Sequence, residues 1–281
     1  MPTHPAAPVA NPRTDPAASS SAAPMPDVQA SQDSRRVAID KVGVKGVTYP
    51  ITLRTKDGGT QTTVAKINMY VSLPHHKKGT HMSRFLEVLN EYARPLTPAC
   101  IGTVAREIKE RLEAEEAHLE ITFTYFIEKH APVTAARGLM DYQVTFRATA
   151  NGVTDFVMGV RAPAASLCPC SKEISRYGAH NQRCEIEAAV RFDGDLWIED
   201  LVTILESAAS SPVYAVLKRP DEKYVTEAAF DNPKFVEDIV RDLAVSLEKH
   251  PQIRSYSISS ENFESIHSHN AYAQISRVIR A

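Results

Sequence analysis

Hydrophobic and polar residues alternate along several stretches of the chain, as expected for β-strands that bury one face. The clearest stretch covers residues 62–73, and Pro74 ends it. A long stretch at 140–160 contains a turn signal, Ala-Asn-Gly, at 150–152. Alternation or a high content of β-branched residues predicts further strands at 42–51, 118–129, 184–192, 253–259 and 271–279.

Apolar residues recur instead at helical spacing in four segments, 81–93, 101–117, 197–207 and 234–249. The predicted order is therefore strands, two helices and strands, given twice. Antiparallel strands with grouped helices indicate an α+β fold, with helices on one face of the sheet. The short connections between strands argue against a doubly wound parallel sheet.

Composition limits the class of protein. Apolar residues make up 43% of the 281 residues, enough for one large domain or two small ones. Lys plus Arg is 32 and Asp plus Glu is 34, which predicts no general affinity for nucleic acid or an anionic membrane. Any phosphate-binding surface must be local. Glycine-rich nucleotide-binding motifs of the G-x-G-x-x-G and Walker A types are missing from the sequence.

The N-terminal residues 1–32 contain seven of the 18 prolines and no aromatic residue. Such a composition predicts a disordered tail. The tail has no apolar segment of the kind that a secretory signal needs, and no stretch of the chain approaches the roughly 20 apolar residues of a membrane span. We therefore expect a cytoplasmic protein.

Two of the four cysteines, Cys168 and Cys170, are separated by one proline. In a large chain without a secretory signal, such a pair favours metal or catalytic chemistry over a disulfide. His180 follows in a polar stretch. One Cys and one nearby His, with further ligands from elsewhere, are typical of an open catalytic site with three protein ligands. The alternatives are buried structural cysteines and a surface histidine.

Other candidates are weaker by spacing alone. The basic segment 77–84 joins a strand end to a helix start, where backbone N–H groups and cationic side chains favour phosphate binding. It can equally be a solvated loop. His267, in the Ile-His-Ser-His-Asn segment 266–270, is a candidate for orienting or protonating a substrate. Among the carboxylates, spacing does not choose between Glu222, placed in a loop, and Glu237, placed in the first turns of a helix.

Several long strings of residues resemble the type IB GTP cyclohydrolases. The most specific are Ser-Leu-Cys-Pro-Cys-Ser-Lys at 166–172 and Gly-Ala-His-Asn-Gln-Arg at 178–183. The similarity extends from about residue 33 to the end. Its other matching stretches are 39–46, 68–74, 78–85 and 264–270.

The resemblance implies a tandem tunnelling fold, in which each unit has antiparallel strands and two helices on the outer face. The expected units are residues 33–160 and 161–281, and the second would carry most of the metal site. Such units associate into barrels, so the resemblance also implies a homo-oligomer, a tetramer, with active sites at subunit interfaces.

The resemblance further implies residue roles. Cys168, His180 and Glu222 correspond to metal ligands for Zn²⁺, Mn²⁺ or Fe²⁺, although which of Cys168 and Cys170 is the ligand stays open. Glu237 corresponds to the carboxylate that holds the guanine edge. The residues expected beside the substrate are Cys170 and His267, and we expect Lys78, His81 and Arg84 to bind its triphosphate.

The implied reaction converts GTP and water into 7,8-dihydroneopterin 3'-triphosphate and formate. This hydrolysis of a cyclic amidine begins tetrahydrofolate biosynthesis, and queuosine biosynthesis is a second pathway that the sequence leaves open. Two alternatives are an NADPH-dependent deazaguanine nitrile reductase of the same fold, with Cys170 as nucleophile, and a nucleotide-binding protein without catalysis.

Overall fold

The structure is a computed structural model that describes residues 26–92 and 95–280. In the first half, two strands precede two helices and two further strands follow. These elements are β1 (Ile39–Arg54), β2 (Thr60–Leu73), α1 (Met82–Glu91), α2 (Pro98–Arg111), β3 (Ala117–His130) and β4 (Arg137–Ala150).

The second half repeats this order with additions. Its elements are β5 (Thr154–Leu167), α3 (Pro169–Ile174), β6 (Asn181–Phe192), α4 (Ile198–Ser207), β7 (Ser211–Pro212), α5 (Arg219–Asp231), α6 (Val236–Lys249), β8 (Ile253–Asn262) and β9 (Ala271–Val278). Among the described residues, no helix is both long and apolar enough to cross a membrane.

All strands of the described chain form one antiparallel sheet, in the order β1-β2-β3-β4-β5-β6-β8-β9, with the short β7 paired to β5. Helices α1 and α2 pack on the first half of one sheet face, and α4 and α6 pack on the second half. The predicted α+β class, with two sheet-packing helices in each half, is confirmed. The edge strands are β1 and β9, and Leu96 pairs with the end of β1, where Arg54 N donates to Leu96 O at 3.0 Å.

The hydrophobic core lies between the sheet and these helices because alternate strand residues face the same side. A row of aromatic rings crosses from the first half to the second, each ring meeting the next edge to face. Phe123 lies 5.2 Å from Phe146, Phe146 lies 5.6 Å from Phe156, and Phe156 lies 5.9 Å from Phe192. The two halves therefore share one continuous core.

The opposite sheet face carries no helix and is polar. Glu120 accepts hydrogen bonds from Asn68 Nδ2 at 2.9 Å and from Arg147 Nε at 3.2 Å. Arg191 forms a paired interaction with Asp155, at 2.8 and 2.9 Å. One face of each strand is thus buried and the other is exposed to solvent, which explains the alternation in the sequence.

Two helix predictions need correction. The helix predicted at 101–117 begins at Pro98 and ends at Arg111. Glu113 then adopts a positive φ of 51°, and Ala117 is already paired with Ala150 in the sheet. The loop predicted around Glu222 is the first turn of α5. A proline in the first turn followed by two acidic residues is a helix-start signal that the sequence contained.

The predicted unit boundaries also differ from the structure. The division between residues 160 and 161 falls inside β5, whereas the turn between β4 and β5 lies at 151–153. Of the predicted tail, residues 1–25 lie outside the described residues. Its residues 26–32 lie against the loop that follows β2, where Lys78 N donates to Ser31 O at 3.0 Å.

A half-buried polar cluster joins β3 and β4 to α4. Glu206 accepts hydrogen bonds from Tyr142 Oη at 2.8 Å and from Lys129 Nζ at 2.7 Å. Burial lowers the pKa of Lys129, and the nearby Glu206 opposes that effect. Burial and Glu206 together raise the pKa of Tyr142. The cluster therefore links the first half of the sheet to a helix of the second half.

Replacing Tyr142 with phenylalanine should lower the free energy of unfolding by about 1–3 kcal/mol, because Glu206 then loses a donor in a dry site. Urea denaturation measures this loss. The matched control is Tyr272→Phe, since the Tyr272 side chain is exposed and bonds only to the nearby Gln274. An equal loss in both variants would contradict this role of the cluster.

Candidate active site

The hairpin of β5 and β6 brings the predicted metal ligands Cys168 and His180 together. Leu167 at the end of β5 is paired with Asn181 at the start of β6. The next pair outward is Cys168 and His180, and Cys168 N donates to His180 O at 3.1 Å. Opposite residues of an antiparallel pair have Cβ atoms about 4.5–5.5 Å apart on the same face. The register therefore places the backbones of Cys168 and His180 opposite each other.

Ser171 in α3 fixes the geometry of this pair. Its Oγ donates to Cys168 O at 3.1 Å and accepts from His180 N at 3.1 Å. Its backbone N–H points at Cys168 Sγ, at 3.5 Å. Cys168 is the N-cap residue of α3. Cys170, two residues later, is exposed.

The imidazole of His180 is held through Nδ1. This nitrogen lies 3.0 Å from Gln182 Oε1 and 3.2 Å from Ser265 Oγ. A proton on Nδ1 satisfies the Gln182 oxygen and leaves the lone pair on Nε2. A neutral imidazole oriented in this way is the form that binds a metal ion.

Helix α6 begins beside the same strand ends. Lys234 N donates to Leu167 O at 3.0 Å, and Ser166 Oγ donates to Lys234 O at 3.0 Å. Asn262 Nδ2, at the end of β8, donates to Ser166 Oγ at 3.0 Å. These bonds fix the start of α6, so Glu237 in its first turn is placed near the Cys168 loop. The Glu237 side chain is exposed.

The loop between β8 and β9 contacts His180 through Ser265. His267 and His269 in this loop are exposed, with stacked rings 5.3 Å apart. Glu264 was not selected from the sequence, although it belongs to the matching stretch 264–270. Its Oε2 is buried and has no hydrogen-bond partner among residues 26–92 and 95–280. A buried, unpaired carboxylate oxygen is costly unless a cation or donor occupies the site.

The donor types at this site fit a divalent transition metal, since thiolate, imidazole and carboxylate together suit zinc, iron or manganese. The single chain does not complete the predicted set, however. Across residues 26–92 and 95–280, no three His, Cys, Asp or Glu side chains are grouped closely enough to hold an ion. Glu222 is an exposed residue of α5.

The basic segment after β2 differs from its prediction. The N–H groups of Lys78 and Gly79, expected to face a phosphate, donate to Ser31 O and Gln29 O at 3.0 and 3.1 Å. The N-terminal residues therefore already satisfy these donors. These two N–H groups are therefore not free to bind a phosphate, and the phosphate-binding prediction is left with the cationic side chains of the segment.

His81, Arg84 and the neighbouring Lys77 line a cleft of about 290 Å³ that the N-terminal residues help to form, whereas Lys78 is outside its lining. Asp27 Oδ2 lies 3.1 Å from His81 Nε2. Hydrogen bonds from Ala30 N and then His81 lower the pKa of Asp27. Arg84 is half-buried and donates to Arg111 O at 3.4 Å, and Lys78 is exposed.

This cleft and the Cys168 loop lie at opposite ends of the sheet. The cleft adjoins Leu73 and the start of β3, whereas Cys168 lies beyond the far end of β5. A strand of 14 residues, such as β3, is about 45 Å long at about 3.3 Å per residue. In one chain, therefore, Lys78, His81 and Arg84 do not meet Cys168 and His180.

The sequence over residues 25–273 matches the model of the family described as type I GTP cyclohydrolase folE2. The chain belongs to this family. GTP cyclohydrolase FolE2 of Geobacter sulfurreducens is 56% identical over 251 residues, which cover 89% of this chain and 97% of that relative. GTP cyclohydrolase FolE2 of an Azoarcus species is 55% identical over 255 residues, covering 90% and 95%. The resemblance seen in the motifs is thus confirmed.

The fold is also similar to that of solved uricases. The uricase of Arthrobacter globiformis superposes with a TM-score of 0.50, covering 86% of this chain and 93% of that chain. Sequence identity is 9%, so this likeness concerns the fold alone. Together with the repeated strand and helix order, it confirms the tandem tunnelling fold for this FolE2 family member.

Proposed function

We propose that this protein is a metal-dependent GTP cyclohydrolase that converts GTP and water into 7,8-dihydroneopterin 3'-triphosphate and formate. The observation that carries the proposal is the Cys168 and His180 pair at the base of the β5–β6 hairpin. It occurs in a chain that belongs to the FolE2 family. The first step of tetrahydrofolate biosynthesis is the corresponding role, in the cytoplasm.

Cys168 and His180 would hold the divalent ion, with Glu222 as the third protein ligand. The bound ion would supply a Lewis acid and an activated water at C8 of guanine. Glu264 Oε2 is buried without a hydrogen-bond partner in the described part of the chain, so a nearby cation or proton would stabilise this carboxylate as well. This set leaves room for water and substrate, as catalytic sites require.

The remaining residues would bind the substrate or exchange protons with it. Glu237, fixed by the start of α6, would accept the two N–H groups of the guanine edge and so select guanine over adenine. His267 would exchange protons with the substrate during ring opening. Cys170, exposed beside Cys168, would contact the substrate.

A second copy of the chain would complete the site. The triphosphate-binding side chains and the metal-binding pair lie at opposite sheet ends, so one molecule cannot use both on one GTP. When two sheets are related by a twofold axis perpendicular to their strands, their strands run in opposite directions. The basic cleft of one chain can then lie beside the metal-binding pair of the other. The edge strands β1 and β9 are available for such pairing, except at the end of β1, where Leu96 already bonds to Thr52 and Arg54. A homotetramer of closed barrels satisfies both conditions.

The direct test uses metal-depleted protein incubated with GTP and Zn²⁺, Mn²⁺ or Fe²⁺. We expect formate release and, after oxidation, pterin fluorescence, both dependent on added metal. NADPH consumption with a deazaguanine nitrile would favour the reductase instead. GTP binding without either product would favour a non-catalytic nucleotide-binding protein.

Replacing Lys78 with alanine should raise the KM for GTP about tenfold with little change in kcat, because one charge-assisted hydrogen bond contributes about 1.5 kcal/mol. Steady-state kinetics measure the effect. Lys249→Ala, at an exposed position in the last turn of α6, is the control. An unchanged KM for Lys78→Ala would remove this side chain from the triphosphate site.

A further inference from the structure

Asp221, in the first turn of α5, is the one carboxylate among the fully buried side chains of the described chain. Its relative exposure is 0%. An ionised carboxylate is costly to bury unless its oxygens are hydrogen bonded. Its conformation is therefore strongly determined by its partners.

Both oxygens of Asp221 are fully used. Oδ1 accepts from Val133 N at 2.9 Å and from Thr134 N at 2.8 Å. Oδ2 accepts from Thr134 Oγ1 at 2.6 Å and from Lys218 N at 2.9 Å. Burial opposes ionisation, but the bonds from Thr134, Lys218 and Val133 outweigh it and hold the pKa of Asp221 well below its usual value.

Asp221 accepts more hydrogen bonds than the start of a helix requires. Capping α5 needs only the bond to Lys218 N, within the same helix. The other three bonds come from residues 133 and 134, in the turn between β3 and β4. Asp221 therefore fastens the start of α5 to the first half of the sheet.

The next residue, Glu222, is exposed and has no hydrogen bond or ion pair through its side chain in residues 26–92 and 95–280. Only its main chain is anchored, with Glu222 N donating to Lys218 O at 2.9 Å. The position of its carboxylate thus depends on the first turn of α5. That turn is the one that Asp221 holds.

We propose that Asp221 is a positioning residue, which places Glu222 for metal binding by tying α5 to the turn between β3 and β4. The inference rests on the proposed function, in which Glu222 is a ligand. Residues that hold a metal ligand in place typically change metal affinity about 10–100-fold when they are altered.

The test measures Mn²⁺ affinity of the full-length protein by electron paramagnetic resonance of the free ion. Asp221→Asn should weaken binding at least about tenfold, since an amide cannot accept all four bonds. Thr134→Val removes one bond without touching α5 and should weaken binding by a smaller factor. Glu227→Gln is the control, because it removes a carboxylate from an exposed position of the same helix.

The readouts separate positioning from stability. We expect a lower kcat at limiting Mn²⁺, recovered at high Mn²⁺, and a KM for GTP within about twofold of wild type. Unchanged Mn²⁺ affinity in Asp221→Asn, with only a lower melting temperature, overturns the proposal. If that variant does not fold, unchanged affinity in Thr134→Val overturns it.

The proposed function fails in a different way. Wild-type protein that releases no formate from GTP with any metal contradicts the cyclohydrolase itself and the inference with it. Formate release by wild type together with normal Mn²⁺ binding by both variants contradicts only the role of Asp221.

Discussion

Replacing Cys168 with alanine should lower metal-dependent formate release from GTP by more than about 1,000-fold, because several kcal/mol of transition-state stabilisation is expected from the ion. The protein should stay folded. Cys168 is half-buried, and the hydrogen bond that its thiol accepts comes from Ser171 N. Formate release measures activity, and circular dichroism with a melting curve measures folding.

Two other cysteines provide controls for this variant. Cys100→Ala changes a half-buried thiol at the start of α2, far along the chain from the site, and should keep activity. Cys170→Ala should retain the metal while losing turnover if Cys170 contacts the substrate. Near-normal turnover by Cys168→Ala would contradict its assignment as a ligand. Loss of metal in Cys170→Ala but not in Cys168→Ala would instead assign Cys170 as the metal ligand.

Replacing Glu237 with glutamine should raise the KM for GTP about 100-fold, because two charge-assisted hydrogen bonds to guanine are weakened at about 1.5 kcal/mol each. An amide oxygen accepts without a charge, and its NH₂ group faces the substrate's own N–H groups. The start of α6 is fixed by Ser166 and Leu167, so the substitution should not move the helix.

Inosine triphosphate, which lacks the exocyclic amine, provides an internal comparison. Wild type should discriminate against it, and Glu237→Gln should lose most of that discrimination. Glu248→Gln is the matched control at the other end of α6, where a glutamine oxygen can still accept from Tyr256 Oη. Discrimination that survives in Glu237→Gln would place the guanine edge elsewhere.

The repeated order of elements could be predicted because one face of the sheet is buried against helices. Strands such as β2 and β3 alternate between core and solvent, and this period is visible in the sequence. Helix α5 was missed because its pattern is weak, with only Asp221 and Ala229 buried along its length. It lies at the periphery of the sheet, so burial imposes little periodicity on it.

The pairing of Cys168 with His180 was predictable in part. The sequence showed that His180 follows Cys168 in a polar stretch, but the register that places them opposite each other comes from ten residue pairs between β5 and β6. Glu264 gave no distinctive local pattern, and its burial depends on neighbours distant in the chain. The occupation of the Lys78 and Gly79 N–H groups was also hidden, since residues 26–33 have no regular pattern.

The separation of the basic cleft from the metal-binding pair could not be read from the sequence either. Both segments follow strands, and only the strand directions reveal that they lie at opposite ends of the sheet. The family resemblance implied active sites between subunits. The structure supplies a physical reason for that expectation, because the proposed GTP ligands of one chain are about a strand length apart.

The most direct test of the central claim is the absorption spectrum of protein reconstituted with Co²⁺. We expect an intense near-ultraviolet band from thiolate-to-cobalt charge transfer in wild type and Cys170→Ala, and its loss in Cys168→Ala. His180→Ala should weaken Co²⁺ binding and alter the visible bands. A wild-type spectrum without the charge-transfer band, or a band that persists in Cys168→Ala, would contradict a shared ion between Cys168 and His180.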